Sequence, residues 1–255
     1  MHGSLRAIER ENFKNSIIHR LDPRIKLIIV LLLIITATTL KNIYFLIILE
    51  FYMILLIILS KISLKNTLKR IIPILPFGLF IVLFQPFIRG NTIIFQIFGI
   101  PIYQEGLNFG ILLFLKFLVS ITSIVFLSST TPIYKVILAG RKLGLPNIMS
   151  ILLGLMIRYL FIMYDILQST IRAQKSRALN RKNLSYKQIL NIFGYTVGSI
   201  FIRAYEQGER TYLAMVSRGY SENSDIHFNI GNISTNDVIL LTVTIILIIF
   251  LLVSQ

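Results

Sequence analysis

A chain of 255 residues with 55% hydrophobic side chains, 15% charged residues and a mean hydropathy of +0.76 is too apolar for an ordinary soluble domain. Its formal charge of +15 gathers beside apolar runs, the pattern of cytoplasmic membrane loops rather than of a nucleic-acid surface. No cysteine is present, which excludes disulfides and thiolate metal sites.

Residues 1–24 are polar, so no cleavable signal peptide is expected ahead of the first apolar run. Asp22 is a good N-cap and Pro23 suits the first helical turn, which predicts a helix that runs apolar from Leu27 to Leu40. Lys41 and Asn42 make a tight turn into a second span, Ile43–Ser60. A basic connector, Lys61 to Arg70, follows and holds no acid. The third span, Ile71–Ile88, contains Pro73, Pro76 and Pro86 and is expected to kink. Residues 89–105 place Gly90, Asn91, Gly99 and Pro101 among β-branched residues, which suggests a short hairpin or a re-entrant loop. A fourth span covers Gly106–Ser129 and a last one Asp237–Val253.

The expected fold class is all-α: a polytopic membrane protein with about five transmembrane helices and long cytoplasmic helices. The chain divides into N-terminal spans (1–129), a cytoplasmic or interfacial region (130–236) and a C-terminal span (237–255). Lys and Arg number six through Lys26, four in 61–70 and thirteen in 130–236, against Lys41 and Arg89 on the other side. This bias predicts a cytoplasmic N-terminus in a multi-pass protein of the cell membrane. Asn147–Leu167 is apolar enough to tempt a sixth span, but it carries Arg158 and Asp165 and is read as a helix at the cytoplasmic interface. Ile189–Ile202 is also apolar and too short to span easily.

Two stretches place an arginine beside small residues at a helix end. Residues 166–182 read as one helix, with Arg172, Lys175, Arg177, Arg181 and Lys182 toward its C-terminal end. Residues 203–219 read as another, carrying Ala214, Met215, Ser217 and Arg218 and ended by Gly219. Ala214 and Arg218 share a face, so the small residue lets a partner approach while the guanidinium reaches a carboxylate on it. The alternative is a solvated helix end whose cations complement the dipole. Glu206 and Arg210 are spaced for an i, i+4 pair.

The segment Leu21-Asp22-Pro23-Arg24-Ile25-Lys26-Leu27 resembles the opening of the transmembrane T component of energy-coupling-factor importers, a class of ABC transporter. Residues 203–220, ending Ala214-Met215-Val216-Ser217-Arg218-Gly219-Tyr220, look like that family's second Ala-Arg-Gly segment. Leu143-Gly144-Leu145-Pro146, then Arg158, then Ala173 to Ala178, are similar to its middle. The ending and the Ser16-x-x-His19-Arg20-Leu21-Asp22-Pro23 pattern resemble the cobalt branch, CbiQ. The family's small-Arg-Gly triplets stand here as Ser176-Arg177-Ala178 and Ser217-Arg218-Gly219, so the first lacks its glycine.

The resemblance implies a non-catalytic coupling subunit with two partner ABC ATPase subunits and a substrate-binding, CbiM-like membrane S component. Arg177 would dock one ATPase and Arg218 the other. Ser176, Ala178, Ser217, Gly219, Ala214 and Met215 would shape the contacts, and the long cytoplasmic helices would transmit ATPase motion. The chain itself contains no Gly-x-x-x-x-Gly-Lys-Ser/Thr loop, so ATP is expected on the partners and no cofactor on this chain. His2, His19 and His227 fall in polar segments, so no intramembrane metal site is expected. Glu50 and Lys116 are charges inside spans and are candidates for an intramembrane pair, structural or part of a proton relay. The spacing Gly194-x-x-x-Gly198 is compatible with tight crossing of cytoplasmic helices. The rival class is a proton-coupled secondary transporter using Glu50 and Lys116, which predicts inverted repeats. Cobalt is the branch-level cargo, with nickel or a vitamin as alternatives.

Overall fold

The computed structural model describes residues 16–88, 92–97, 100–177, 185–221 and 233–254. It is helical throughout, with a single two-stranded hairpin among the described residues. Two compact units are present, one formed by Met1–Leu143 with Ile230–Gln255 and the other by Gly144–Asn229.

In the first unit, a helical turn α1 (Ile17–Arg20) is capped by the Ser16 hydroxyl and leads into α2 (Pro23–Thr39). Asp22 caps α2 by accepting from the Arg24 N–H at 2.8 Å, and Pro23 occupies its first turn, as the sequence predicts. Then come α3 (Ile43–Leu59), α4 (Leu64–Ile71) and α5 (Leu75–Ile88). Strands β1 (Ile93–Ile97) and β2 (Ile100–Tyr103) pair antiparallel with Ile97 opposite Ile100, which realises the hairpin expected between the third and fourth spans. The Gly90, Asn91 and Gly99 part of that expectation lies outside the described residues. Next are α6 (Gln104–Thr130) and α7 (Ile133–Lys142), and α10 (Thr235–Val253) completes the unit.

The core of this unit is a continuous apolar cluster drawn chiefly from four long helices. It holds Ile29 and Leu33 of α2, Leu49 and Met53 of α3, Val119 of α6 and Leu251 of α10, all at most 1% exposed. The outward faces are no less apolar: Phe51, Ile58, Phe80 and Ile246 are each more than half exposed. In water such a surface would drive aggregation, whereas in lipid it is at home. Helix association there relies on close packing more than on the hydrophobic effect. A Cβ on Gly110 would come within 3.3 Å of the Val82 backbone, so α5 and α6 approach closely at that point.

The basic connector after α3 is itself helical. Thr67 and Ile71 of α4 point inward, and Arg70 donates to the Ser129 hydroxyl on α6 at 2.8 Å. Pro73 then interrupts the helix, and α4 and α5 are bent by 51° across the break, the geometry of a broken span or a re-entrant loop. Proline has no N–H and its ring clashes with the carbonyl four residues back, which accounts for the kink at this place. Helices α6 and α10 are long and apolar enough to cross a membrane. The 17-residue α2 and α3 fall at the short end of the spanning range. This is the all-α polytopic membrane architecture the composition calls for. Helix α7, counted in the sequence with the region from 130 onward, packs against α2 and so belongs with the first unit.

Lys61 follows the C-cap of α3 with φ +55°, a left-handed conformation that costs a residue with a Cβ about 1 kcal/mol. Lys61→Gly is therefore expected to stabilise the protein by roughly 0.5–1 kcal/mol. Thermal unfolding in detergent, showing a raised midpoint, checks it.

The second unit consists of α8 (Asn147–Ser176) and α9 (Tyr186–Ser217). Each is one continuous helix, where the sequence suggested separate pieces at 147–167 and 166–182, and at 189–202 and 203–219. No proline interrupts either run, and the charges Arg158 and Asp165 sit on exposed positions that a helix carries without a break. Helix α8 also satisfies the length and composition needed to cross a membrane.

Candidate docking site

Helix α9 begins with a capping box: Ser185 and Gln188 satisfy each other's backbone N–H groups. Its shielded positions include Ile192, Thr196, Ile200, Ala204, Thr211 and Met215, recurring at helical spacing along one stripe. That stripe faces α8, and two polar cross-links set its register. Gln174 Nε2 donates to Thr196 Oγ1 at 2.7 Å, and the Tyr159 hydroxyl bonds the Thr211 hydroxyl. Since 174 meets 196 and 159 meets 211, the two helices run antiparallel.

Antiparallel pairing decides where the arginines go. Arg177 is the C-cap of α8 and Arg218 the C-cap of α9, so they lie toward opposite ends of the pair. Counted at 1.5 Å per residue through the two cross-links, roughly 38 Å of helical rise separates them. Both arginines are exposed. Ser176 and Ser217 are exposed as well, and their hydroxyls turn back to the carbonyls of Ala173 at 2.9 Å and Ala214 at 3.1 Å. They are thus occupied locally, and the guanidinium is the group each end presents outward. Ala214 is exposed one turn before Arg218, while Met215 is half-buried against α8. Ala178 lies outside the described residues.

The end of α9 is a fully formed Schellman turn. Gly219 has φ +81°, its N–H reaches the Val216 carbonyl at 2.9 Å, and the Tyr220 N–H reaches the Met215 carbonyl at 3.0 Å. At the end of α8 the Arg177 N–H bonds back to the Ala173 carbonyl at 3.2 Å. Glu206 and Arg210 form the expected pair at 3.1 Å, but their side chains are 53% and 71% exposed, so the pair contributes little to stability. Gly194 and Gly198 do not form a close helix crossing among the described residues: a Cβ added at either meets nothing within 4 Å. Their face is open, and so are the aromatic residues Phe193, Tyr195, Phe201 and Tyr205 around it.

Glu50 and Lys116 do not meet. Glu50 on α3 accepts from the Thr122 hydroxyl on α6 at 3.0 Å, and Lys116 on α6 donates to the Thr38 carbonyl on α2 at 2.6 Å. Each charge thus stitches one pair of helices, and no ion pair joins the two among the described residues.

The polar cluster that sequence reasoning missed lies at the start of α2 and α10. Asp237, 1% exposed, accepts from the Asp22 N–H through Oδ1 and from the Ser234 N–H through Oδ2, both at 2.8 Å. Beside it Lys26, 2% exposed, donates to the carbonyls of His19 and Thr130 at 3.4 Å. The sequence carried one signal for it, the Ser234-x-x-Asp237 capping-box spacing. Among the described residues no group of His, Cys, Asp or Glu is placed to hold a metal ion.

Residues 14–228 match the model of the CbiQ family, described as cobalt transport protein. An uncharacterized protein of Methanocaldococcus jannaschii is 31% identical over 220 residues, 84% of this chain and 80% of that protein. The energy-coupling factor transporter transmembrane proteins of Staphylococcus aureus and Lactococcus lactis are 30% and 28% identical, covering 82% and 81% of this chain and 81% of each of theirs. With most of its length matched in an all-helical membrane architecture, the chain belongs to the CbiQ cobalt transport protein family.

Proposed function

We propose that this chain is the transmembrane T component of an energy-coupling-factor importer, a non-catalytic subunit that links two ABC ATPases to a substrate-binding membrane subunit. The observation that carries the reading is the pair of exposed arginines, Arg177 and Arg218, at opposite ends of two antiparallel helices. One rigid element with a forked cation at each end suits two equivalent acidic grooves, one on each ATPase. ATP sits on those partners, and this chain binds no cofactor.

In this reading α8 and α9 lie at the cytoplasmic face, the N-terminus is cytoplasmic, and the complex resides in the cell membrane. The bias of Lys and Arg toward those segments supports that orientation. The open aromatic face of α9, which no part of the described chain covers, provides the surface for the substrate-capturing S component. Cobalt is the proposed cargo on the strength of the family's description, and the ion's recognition falls to the S component. Purification of the chain with its neighbours, followed by uptake assays competing cobalt against nickel, tests the proposal. ATP-dependent cobalt accumulation by the complex, with no uptake by this chain alone, supports it. Uptake by this chain alone would return the proton-coupled carrier as the better reading.

A further inference from the structure

Arg218 precedes by two residues a side chain that turns away from solvent. Tyr220 is half-buried although Ala214, Val216, Ser217, Arg218 and Gly219 around it are exposed. The left-handed Gly219 reverses the chain, and the bond from the Tyr220 N–H to the Met215 carbonyl holds the reversal. Tyr220 and Met215 then line an apolar cavity of about 440 Å³ whose far wall is the first turns of α8, including Ile148, Ile151 and Leu152. Tyr159, bonded to Thr211, also lines it, so the cavity adjoins one of the two cross-links of the pair.

We infer that Tyr220 is a positioning residue for Arg218, tying the arginine-bearing tip of α9 to the start of α8 so that the two helices move as one body at that end. The inference rests on the docking reading above. A helix end held only by its own turn frays, and its side chains must be ordered when a partner binds. Here the residue beyond the turn is half-buried in an apolar cavity that it lines together with a second helix, so part of that ordering is done before the ATPase arrives. The consequence for coupling is that force applied at Arg218 is delivered to α8 as well as to α9.

The test uses the assembled complex, with ATPase association measured as a function of concentration for variants of the full chain. Tyr220→Ala is expected to weaken association about tenfold, because the tip must then be ordered on binding. Tyr220→Phe, which keeps the ring, stays within about twofold of the parent. Ile151→Ala, remote in sequence and on the other helix, is expected to weaken association in the same direction, and the double variant to fall short of the product of the two losses. A residue that merely finishes the turn of α9 would not be mimicked by a change on α8. Unchanged association in Tyr220→Ala or in Ile151→Ala, while Arg218→Glu removes it, overturns the positioning role and leaves docking intact. Unchanged association in Arg218→Glu overturns docking itself. Should Tyr220→Ala not survive purification, Ile151→Ala and Tyr220→Leu carry the test, with Tyr220→Leu expected to fall between parent and Ile151→Ala.

Discussion

Replacing Arg177 and Arg218 together by glutamate is expected to abolish ATP-driven uptake and to release both ATPase subunits from the complex. In the proposed docking each substitution replaces a fork aimed at carboxylates by another carboxylate, so attraction becomes repulsion at both contacts. Disrupting one hydrogen-bonded charge pair at an interface costs on the order of 2–5 kcal/mol. Over the whole assembly two such losses amount to about a thousandfold or more in affinity. Arg218→Glu alone is expected to stop transport as well, because in the proposed mechanism both ATPases must act on one lever. Arg177→Lys and Arg218→Lys keep the charge and lose the planar fork, so they are expected to weaken association only partly. Both arginines are exposed at helix ends, where substitutions change chain stability by less than about 0.5 kcal/mol. The variant membrane protein therefore accumulates normally, and only its complex fails. Co-purification of the ATPases and uptake of radioactive cobalt in the same membranes check both halves. Retained association and uptake in the double variant would sink the docking reading.

The parts of this site that were legible in the sequence are the ones written in local chemistry. Gly219 after a run of helix formers marks a left-handed helix end, and the structure has it at φ +81°. Asp22 before Pro23 marks a capped helix start, and the cap is made. What local chemistry does not encode is which distant groups meet. Glu50 and Lys116 looked like a pair because both are charges placed in spans. A threonine hydroxyl and a backbone carbonyl closer to hand satisfy them instead. Gly194 and Gly198 have the spacing of a packing face, yet α8 contacts the stripe that holds Thr196. That choice depends on the register fixed by two side-chain bonds between helices, and neither bond has a sequence signature. The continuity of α8 was likewise hidden. Its apolar half and basic half look like two helices with different tasks, while the backbone needs only the absence of a breaker to run through both.

Asp237→Ala is expected to destabilise the membrane unit by roughly 3 kcal/mol, the larger of the stability effects predicted for this chain. Asp22 and Asp237 are 215 positions apart, and one hydrogen bond ties the start of the first long helix to the start of the last. The Asp237 carboxylate accepts from two backbone N–H groups, those of Asp22 and Ser234, and its surroundings are closed to water. Alanine leaves both donors unpaired, and a buried unpaired N–H costs about 1–3 kcal/mol. Lys26 would also lose a nearby negative charge, while the carbonyls of His19 and Thr130 remain as its acceptors. Asp237→Asn retains one acceptor oxygen and sets an amide N–H against the other donor, so about half the loss is expected. Both changes lie in the membrane unit, whereas α8 and α9 make up the other. In detergent the unfolding temperature should therefore fall stepwise from the parent to Asp237→Asn and again to Asp237→Ala. The Tyr159–Thr211 and Gln174–Thr196 links between α8 and α9 are expected to persist in both variants. Equal unfolding temperatures for all three proteins would mean that the two helix starts are held together by apolar packing alone.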